Sequence, residues 1–247
     1  MKRRFLALIL ITILSSAWLP RSCARWKSQG TETVPPSPTA SPANLSIDRP
    51  AGDVLYYLDD FDRPDEPLNN FIAIRGLWCC EPQGDCSSSC AGLLKVSLDE
   101  TVRYGNSGAS LKVEYNVATA DSLASYYEGL HNDPTFYDLS FFDEFRFRVK
   151  GIGSTVSPNT KFYVRFADRD WKMQYVEIMG VGSEWEEKVI DLSKLEGLNW
   201  KQMRELTFIF ENNREGSGRV THPLSGTLYF DNLVFVDKGA GPVSDDE

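Results

Sequence analysis

The acidic residue with the most demanding surroundings is Asp231, which interrupts the apolar run Gly226–Val236. β-Branched and aromatic residues dominate this run, which predicts a strand inside a sheet with cover on both faces. Strict alternation places Leu228, Phe230, Val234 and Val236 on one face and Tyr229, Leu233 and Phe235 on the other. A buried carboxylate without partners would be costly, so Asp231 needs hydrogen-bond donors, a basic partner or a metal ion.

Groups typical of catalytic sites are few. The two histidines, His131 and His222, have no second ligand at metal spacing and no nearby Ser or Cys motif. Clustered acids, which could act as a glycosidase acid/base pair, occur at Asp59, Asp60 and Asp62 and at Glu184, Glu186 and Glu187. In a chain with 35 acidic residues such clusters also arise by chance. We therefore expect no catalytic residues and no enzyme activity.

Four cysteines lie within twelve residues, at Cys79, Cys80, Cys86 and Cys90. The loop between them is rich in Gly, Ser and Pro, and an even number of cysteines in an exported chain favours two local disulfides. Each of the first two cysteines is expected to pair with Cys86 or Cys90, and the sequence leaves both pairings open. A zinc site is the alternative, but these spacings match no common zinc knuckle.

Export is predicted from the N-terminus. Residues 1–24 combine a basic start with an apolar stretch, 5–19, that is short for a membrane span, as in a signal peptide. Cleavage is expected after Ala24, while a lipidated Cys23, as in bacterial lipoproteins, is the alternative. Residues 25–50 are a Pro/Ser/Thr-rich linker. We expect an extracellular or cell-surface protein without a transmembrane domain in the mature chain.

The charge of the mature chain limits its partners. Removing residues 1–24 takes away four basic residues and no acidic ones, which leaves 22 basic and 35 acidic residues and a net charge of −13. Nucleic acids and anionic membranes attract basic surfaces. We therefore expect neither as a partner.

Residues 51–238 form one predicted domain, followed by an acidic tail, 239–247. Turn signals separate eleven strand candidates, namely 53–59, 71–78, 93–98, 109–117, 123–130, 143–150, 161–168, 173–179, 185–192, 204–211 and 226–236. A short helix or 3₁₀ turn is expected within 193–203. Many short strands without helical crossovers predict an all-β fold, an antiparallel sandwich or barrel.

Two of these strands alternate clearly between apolar and polar residues. In 145–150, Arg146, Arg148 and Lys150 oppose the apolar residues, and in 162–167, Tyr163 and Arg165 do so. If the two strands are neighbours, their polar faces form a basic and aromatic patch. An ordinary solvated face is the alternative.

Five segments in order carry a family resemblance: Asp59–Asp62, Gly105–Val113, Leu139–Gly151, Trp185–Ser193 and Gly226–Phe235. Together they resemble the galactose-binding-like β-jelly roll of carbohydrate-binding modules, especially the family 11 type. The complex I intermediate-associated protein 30 domain has the same frame. The resemblance covers nearly all of residues 53–236 and implies an antiparallel two-sheet β-sandwich.

The resemblance also implies a structural calcium ion. Carried over by position, its ligands are Asp60 or Asp62 near the first strand and Asp231 in the last, with backbone carbonyls around Asn106. Oxygen ligands of this kind suit calcium. As an alternative, Asp231 accepts hydrogen bonds from backbone amides or pairs with an arginine.

In the sugar-binding members, the resemblance implies a glycan site on one sheet. Sugar rings stack on exposed aromatic faces while polar groups bind their hydroxyls. Trp171 is the first stacking candidate, although a Trp in a turn could equally be a local packing anchor. The further candidates are Tyr127, Tyr163 and Tyr175 for stacking and Arg146, Arg148 and Arg165 for hydrogen bonding. Trp78 and Trp185 match positions that are normally core.

The leading hypothesis is therefore a non-catalytic, exported module that binds a polysaccharide. A protein-interaction or assembly domain on the same scaffold is the second hypothesis, and a glycosidase or polysaccharide lyase the third. The sequence does not name the glycan, because loop shape and side-chain orientation determine ligand choice within one fold.

Overall fold

The computed structural model describes residues 53–62, 68–80, 90, 92–132, 134–212 and 223–239, together with the backbone of 86–87. The predictions for the signal peptide, Cys23, the linker, His222 and most of the acidic tail fall outside the described residues. Within the described part, no helix is long and apolar enough to cross a bilayer.

The described residues form a succession of strands with two short 3₁₀ turns, Gly153–Thr155 and Leu192–Lys194. In chain order the strands are β1 (Val54–Asp59), β2 (Arg75–Cys80), β3 (Cys86–Ser87), β4 (Leu94–Asp99), β5 (Ser110–Asn116), β6 (Leu123–Gly129), β7 (His131–Asn132), β8 (Thr135–Phe136), β9 (Glu144–Ile152), β10 (Ser157–Asp168), β11 (Met173–Val181), β12 (Glu186–Asp191), β13 (Met203–Glu211) and β14 (Ser225–Asp237). Each of the eleven predicted strands overlaps one of these. The second lies a few residues later than predicted, and β3, β7 and β8 were not predicted.

Two antiparallel sheets enclose the core. Sheet I has the order β12-β9-β14-β5-β4, with β1 also paired to β14, and sheet II has the order β11-β10-β13-β6-β2-β3. Phenylalanines from both sheets meet between them: the ring centroids of Phe208 and Phe230 are 4.7 Å apart, and those of Phe147 and Phe208 are 5.4 Å apart. The predicted all-β, two-sheet sandwich is thus confirmed.

A β-bulge changes the predicted faces of β14. Its register against β9 shifts between Asp231 and Val234, and Asn232 adopts a left-handed backbone with φ +48°. A bulge adds a residue and reverses the alternation that follows it. The core therefore receives Leu228, Phe230, Leu233 and Phe235, whereas strict alternation had assigned Val234 and Val236 to the face of Leu228.

The two strands with clear alternation do not lie side by side. β9 belongs to sheet I and β10 to sheet II, so their polar faces lie on opposite outer sides of the sandwich. The condition for a patch combining Arg146 and Arg148 with Tyr163 and Arg165 is therefore not met. Sequence alternation identifies the core side of each strand but not the sheet to which it belongs.

A disulfide joins Cys79 in β2 to Cys90. This resolves one of the two pairings left open by the sequence. Cys80 is also disulfide-bonded, and its backbone lies opposite that of Cys86 in the β2–β3 ladder. The bonded cysteines support the predicted disulfide staple at the end of β2.

Candidate functional site

The outer face of sheet II collects most of the predicted ligand residues. Backbone pairing places Tyr175, Arg165, Thr207, Tyr127 and Gly76 in one row across five strands. Their neighbours along the strands, such as Val164 and Phe208, face the core. Because strand residues alternate between faces, the row points away from the core.

A second row runs beside the first. It contains Glu177, Tyr163, Ile209, Ser125 and Trp78. Tyr163 therefore lies on the same face as Tyr127, Tyr175 and Arg165, the other predicted ligand residues in sheet II. Trp78 is half-buried on the outer face and does not belong to the core, in contrast to the expectation from the resemblance. Alternation with its neighbours Leu77 and Cys79, which face the core, was the signal that could have placed Trp78 on the outer face.

Tyr127 lies directly over β2. A Cβ atom at Gly76 would come within 2.7 Å of the Tyr127 hydroxyl oxygen, so glycine makes room for the ring. Burial, together with the charges of Glu205 and Glu128, raises the pKa of Tyr127. The phenol therefore stays neutral and can both donate and accept hydrogen bonds.

Arg165 is the charged group at the centre of this face. One of its terminal nitrogens donates to the Glu205 carboxylate and to Thr207 Oγ1, the latter at 3.0 Å. Its Nε is buried and has no hydrogen-bond partner among the residues that the structure describes. This face thus presents aromatic rings around an arginine that an acid already neutralises, which suits hydroxyl-bearing ligands.

Trp171 lies in the turn between β10 and β11, with φ +60° and an exposed fraction of 49%. The buried Asp168 holds the turn: its Oδ1 accepts from the amides of Asp170 and Lys172, and its Oδ2 from that of Asn199. The Arg204 guanidinium lies 4.4 Å from the centroid of the Trp171 ring. Trp171 is therefore both packed against a neighbour and accessible to solvent.

Arg146 and Arg148 lie on the outer face of sheet I instead. Arg146 pairs with Glu144 at 2.6 Å and with Asp53 at 3.1 Å, while Arg148 pairs with Glu187 at 2.9 Å. The Arg148 guanidinium also lies 4.6 Å from the Tyr104 ring centroid. The structure does not bring these two arginines to the other predicted ligand residues.

The predicted metal ligands come together at the junction of β1 and β14. Asp231 is buried; its Oδ2 accepts from the Tyr104 amide at 2.9 Å and its Oδ1 from the Asn232 amide at 2.8 Å. Burial raises the pKa of Asp231 to about 7; these amides oppose the rise, and the charges of Asp62 and Asp60 add to it. Among the described residues, no basic side chain forms an ion pair with these three acids, which we call the outer acid cluster.

The loop of residues 100–109 covers this cluster. Asp62 Oδ1 accepts from the Ala109 amide at 3.2 Å, beside a solvent-open cavity of about 380 Å³ lined in part by Asp62, Arg103 and Asn106. Arg103 donates to the Asn106 carbonyl at 3.1 Å, and the Trp185 Nε1 donates to the Arg103 carbonyl, also at 3.1 Å. Trp185 is half-buried against this loop and lies outside the core, contrary to expectation.

The donors of the outer acid cluster are all oxygen atoms, which is the chemistry calcium prefers. Their spacing is looser than that of a closed coordination shell: in the described part of the chain, no group of three or more His, Cys, Asp or Glu side chains is placed to hold a metal. The three carboxylates nevertheless interact, because Asp60 and Asp62 both raise the pKa of Asp231. The residues therefore fit calcium by chemistry, and binding would require them to move closer together.

Sequence reasoning missed a second group of charged residues, which lies between the sheets. It consists of the acids Asp59 and Glu128 together with Arg75, and we call it the inner acid cluster. Arg75 pairs with Asp59 at 2.6 Å, and Glu128 accepts from Asn69 Nδ2 at 3.0 Å and from the Tyr126 hydroxyl. Burial and the charge of Asp59 raise the pKa of Glu128 to about 8. Alternation with the core residues Ala124 and Tyr126 could have identified Glu128 as inward-facing.

No protein-family profile and no curated protein matches the chain. Among solved structures, an exo-β-agarase is similar, with a TM-score of 0.50 and 12% identity over 75% of this chain. The match spans 25% of the agarase, so this chain corresponds to about a quarter of that protein. At this identity the likeness supports the fold alone.

Two smaller structures match over most of their own length. A family 30 carbohydrate-binding module has a TM-score of 0.45 and 16% identity, over 79% of this chain and 92% of the module. The xylan-binding CBM22-1 domain of Paenibacillus barcinonensis Xyn10C has a TM-score of 0.42 and 14% identity, over 77% of this chain and 98% of the domain.

Proposed function

We propose that this protein is a non-catalytic, exported module that binds a glycan on the outer face of sheet II. The observation that carries the proposal is the row that aligns Tyr175, Arg165 and Tyr127 across neighbouring strands. Tyr163 and Trp78 add aromatic surface in the adjacent row. Rigid strands hold these side chains, so the face is organised before a ligand arrives.

The chemistry of this face suits a sugar. Aromatic rings offer apolar surface to the C–H side of a pyranose, and the neutral phenols and Arg165 offer hydrogen bonds to hydroxyls. The exposed fraction of Tyr175 is 54%, which leaves its ring accessible. A polysaccharide chain could lie along a row of this length.

Three of the six acids considered as a glycosidase pair form ion pairs. Asp59 is buried against Arg75, Glu186 pairs with Lys188 at 2.9 Å, and Glu187 pairs with Arg148. These ion pairs account for Asp59, Glu186 and Glu187 without a reaction, and Asp60 and Asp62 belong to the outer acid cluster. Binding without turnover is therefore the better account of the described residues.

Affinity gel electrophoresis of the full chain against xylan, cellulose derivatives, agarose and mixed-linkage glucan tests the proposal. We expect retention on at least one glycan, and Tyr127→Ala and Tyr175→Ala should each weaken it at least about tenfold, through the loss of roughly 1–2 kcal/mol of stacking and burial. Tyr57→Ala is the matched control, because Tyr57 is 40% exposed but lies in β1 of sheet I. No retention on any glycan, or equal loss in the control, would reject the proposal.

We further propose that calcium binds at the outer acid cluster and braces the sandwich. Asp60, Asp62 and Asp231 would hold the ion, with loop carbonyls such as that of Asn106 once Arg103 releases it. The ion would supply the positive charge that the described side chains do not. Calcium binding should raise the melting temperature and its removal by chelation should lower it, as developed below.

A further inference from the structure

Among the described residues, lysines and arginines without an ion-pair partner gather at one end of sheet II. Of the 16 described lysines and arginines, ten form ion pairs with acids within 4.0 Å. Four of the remaining six lie in two short segments, Arg169 and Lys172 in the turn after β10, and Lys201 and Arg204 at the start of β13. This concentration is unexpected in a chain with net charge −9.

The two segments are in contact. The Arg169 amide donates to the Gln202 carbonyl at 2.8 Å, and Asp168 pairs with Met203 across the β10–β13 ladder. Two acids are also present in the turn: the Asp168 carboxylate is buried on three backbone amides, while Asp170 is exposed. Glu205 follows Arg204 in β13 but is already paired with Arg165, so the four cations against the two acids of the turn leave this end locally positive.

Aromatic rings accompany the cations. Arg204 covers one side of Trp171 at 4.4 Å, and Arg169 lies 5.6 Å from the ring centroid of Phe136. Since Trp171 remains 49% exposed, its surface away from Arg204 is open to a ligand. The positive charge of Arg204 behind the Trp171 ring makes the electrostatic potential around that ring more positive. This favours an anionic ligand over a neutral one.

This end continues into the proposed glycan face. Met173 and Tyr175 are exposed on the edge strand β11, which begins two residues after Trp171, and the Tyr175 hydroxyl donates to Met173 Sδ at 3.4 Å. Four residues of extended chain span about 13 Å, so the backbones of Trp171 and Tyr175 are separated by at most that distance. One polysaccharide could therefore contact both.

We propose that Arg169, Lys172 and Trp171 form a subsite for an acidic sugar, one that carries a carboxylate or a sulfate. The acidic group pairs with Arg169 and Lys172 while the sugar ring contacts the open side of Trp171. Lys201 and Arg204 add to the local positive potential. This inference rests on the proposed function and deepens it, because it makes the preferred glycan an anionic one.

Isothermal titration calorimetry of the full chain at low salt tests the subsite. Polygalacturonate is the carboxylate-bearing probe and dextran sulfate the sulfate-bearing one, while xylan and dextran are the neutral glycans. The wild type should bind one acidic polymer more tightly than either neutral one. The double variant Arg169→Gln/Lys172→Gln should weaken that binding roughly 100-fold, about tenfold for each charge-assisted contact. Trp171→Ala should weaken it further, and Arg169→Lys/Lys172→Arg should restore most of it.

Lys95→Gln/Lys150→Gln is the matched control, because it removes two positive charges from sheet I. An equal loss in this control, or equal binding of inorganic polyphosphate, would mean general attraction of polyanions and would overturn the subsite. Circular dichroism and melting temperature establish that each variant folds; if the glutamine variant does not, Arg169→Gln alone replaces it.

The outcomes separate this subsite from the glycan face itself. Neutral glycans bound through Tyr127 and Tyr175, with no preference for acidic ones, would reject the subsite and retain the proposed function. Acidic glycan binding that is lost in the glutamine variant but unaffected by Tyr127→Ala would retain the subsite and reject the face. Binding of no polymer would reject both.

Discussion

Two groups of acids lie on either side of the end of β1 and are neutralised in different ways. In the inner acid cluster, Asp59 pairs with Arg75 and Glu128 accepts hydrogen bonds from Asn69 and Tyr126. In the outer acid cluster, the hydrogen bonds to Asp231 come from the backbone amides of Tyr104 and Asn232. The inner cluster thus contains its own cation, while the outer one offers its carboxylates only partial positive charge.

This difference separates a structural site from a candidate binding site. A buried charge is tolerated when a partner of opposite charge is fixed beside it. In the described part of the chain the outer acids have no such partner, and they lie close to a solvent-open cavity, so a cation from solution would stabilise them. The comparison predicts that the inner cluster responds to mutation of its own residues and the outer cluster to the composition of the solvent.

The largest effect is expected for Arg75→Met. This change leaves the buried Asp59 without its cation and should lower the free energy of unfolding by about 3–5 kcal/mol. Urea denaturation measures it. Arg148→Met, which removes the partner of Glu187 on the surface of sheet I, is the control and should cost less than about 1 kcal/mol. Equal costs would mean that the inner pair is no more important than a surface one.

Glu128→Gln should change how stability depends on pH. The pKa of Glu128 is raised to about 8 from an ordinary value of 4.5, so between these values the folded state keeps a proton that the unfolded state has released. The free energy of unfolding therefore falls as pH rises through this window, by at most about 1.4 kcal/mol per pH unit. Glutamine can still accept from Asn69 and donate to the Tyr126 oxygen.

Urea denaturation of wild type and Glu128→Gln at pH 5, 6, 7 and 8 measures this difference. The variant should show a shallower fall, and the contribution of Asp231 cancels because it is common to both proteins. Parallel curves would show that Glu128 is already ionised in the folded protein at neutral pH.

Calcium should act on the outer cluster alone. At a calcium concentration of about 100 times its dissociation constant, the free energy of unfolding should rise by about 2.7 kcal/mol in the wild type. Asp231→Asn should abolish the rise, whereas Glu128→Gln should keep it. Since the pKa of Asp231 is raised to about 7, protons compete with calcium below that value and the stabilisation should weaken at pH 5.5. Scanning calorimetry with calcium or a chelator measures each case.

Much of the fold could be predicted because local patterns determine it. Alternation and turn residues located eleven strands, and the order of five segments identified the sandwich. The bulge at Asn232 could not be predicted, since it depends on the pairing of β14 with β9. Sheet membership also depends on such long-range pairing, so alternation alone could not show that Arg146 and Arg148 lie on a different sheet from Arg165.

The candidate sites were predictable in part for the same reason. Tyr127, Tyr163, Tyr175 and Arg165 share a face because alternation is regular within their strands. Asp59, Arg75 and Glu128 lie far apart in sequence and meet only when β1, β2 and β6 are assembled, so the inner cluster left no local signal beyond one acid in an apolar alternation.

The smallest expected effect gives the sharpest test of the outer cluster, because the loop of residues 100–109 contains two comparable glycines. Gly105 and Gly108 both have positive φ, +91° and +82°, so Ala at either should cost roughly 1–2 kcal/mol of backbone strain. A Cβ at Gly108 would also lie 1.5 Å from Asp62 Oδ1, whereas nothing lies within 4 Å of a Cβ at Gly105.

Gly108→Ala should therefore displace Asp62 and reduce the calcium-dependent rise in melting temperature, while Gly105→Ala should keep the full rise. If both variants respond to calcium like the wild type, Asp62 is not a ligand and the ion would be held elsewhere. A loss of response in both would implicate the loop backbone, including the Asn106 carbonyl between the two glycines, in place of the Asp62 carboxylate.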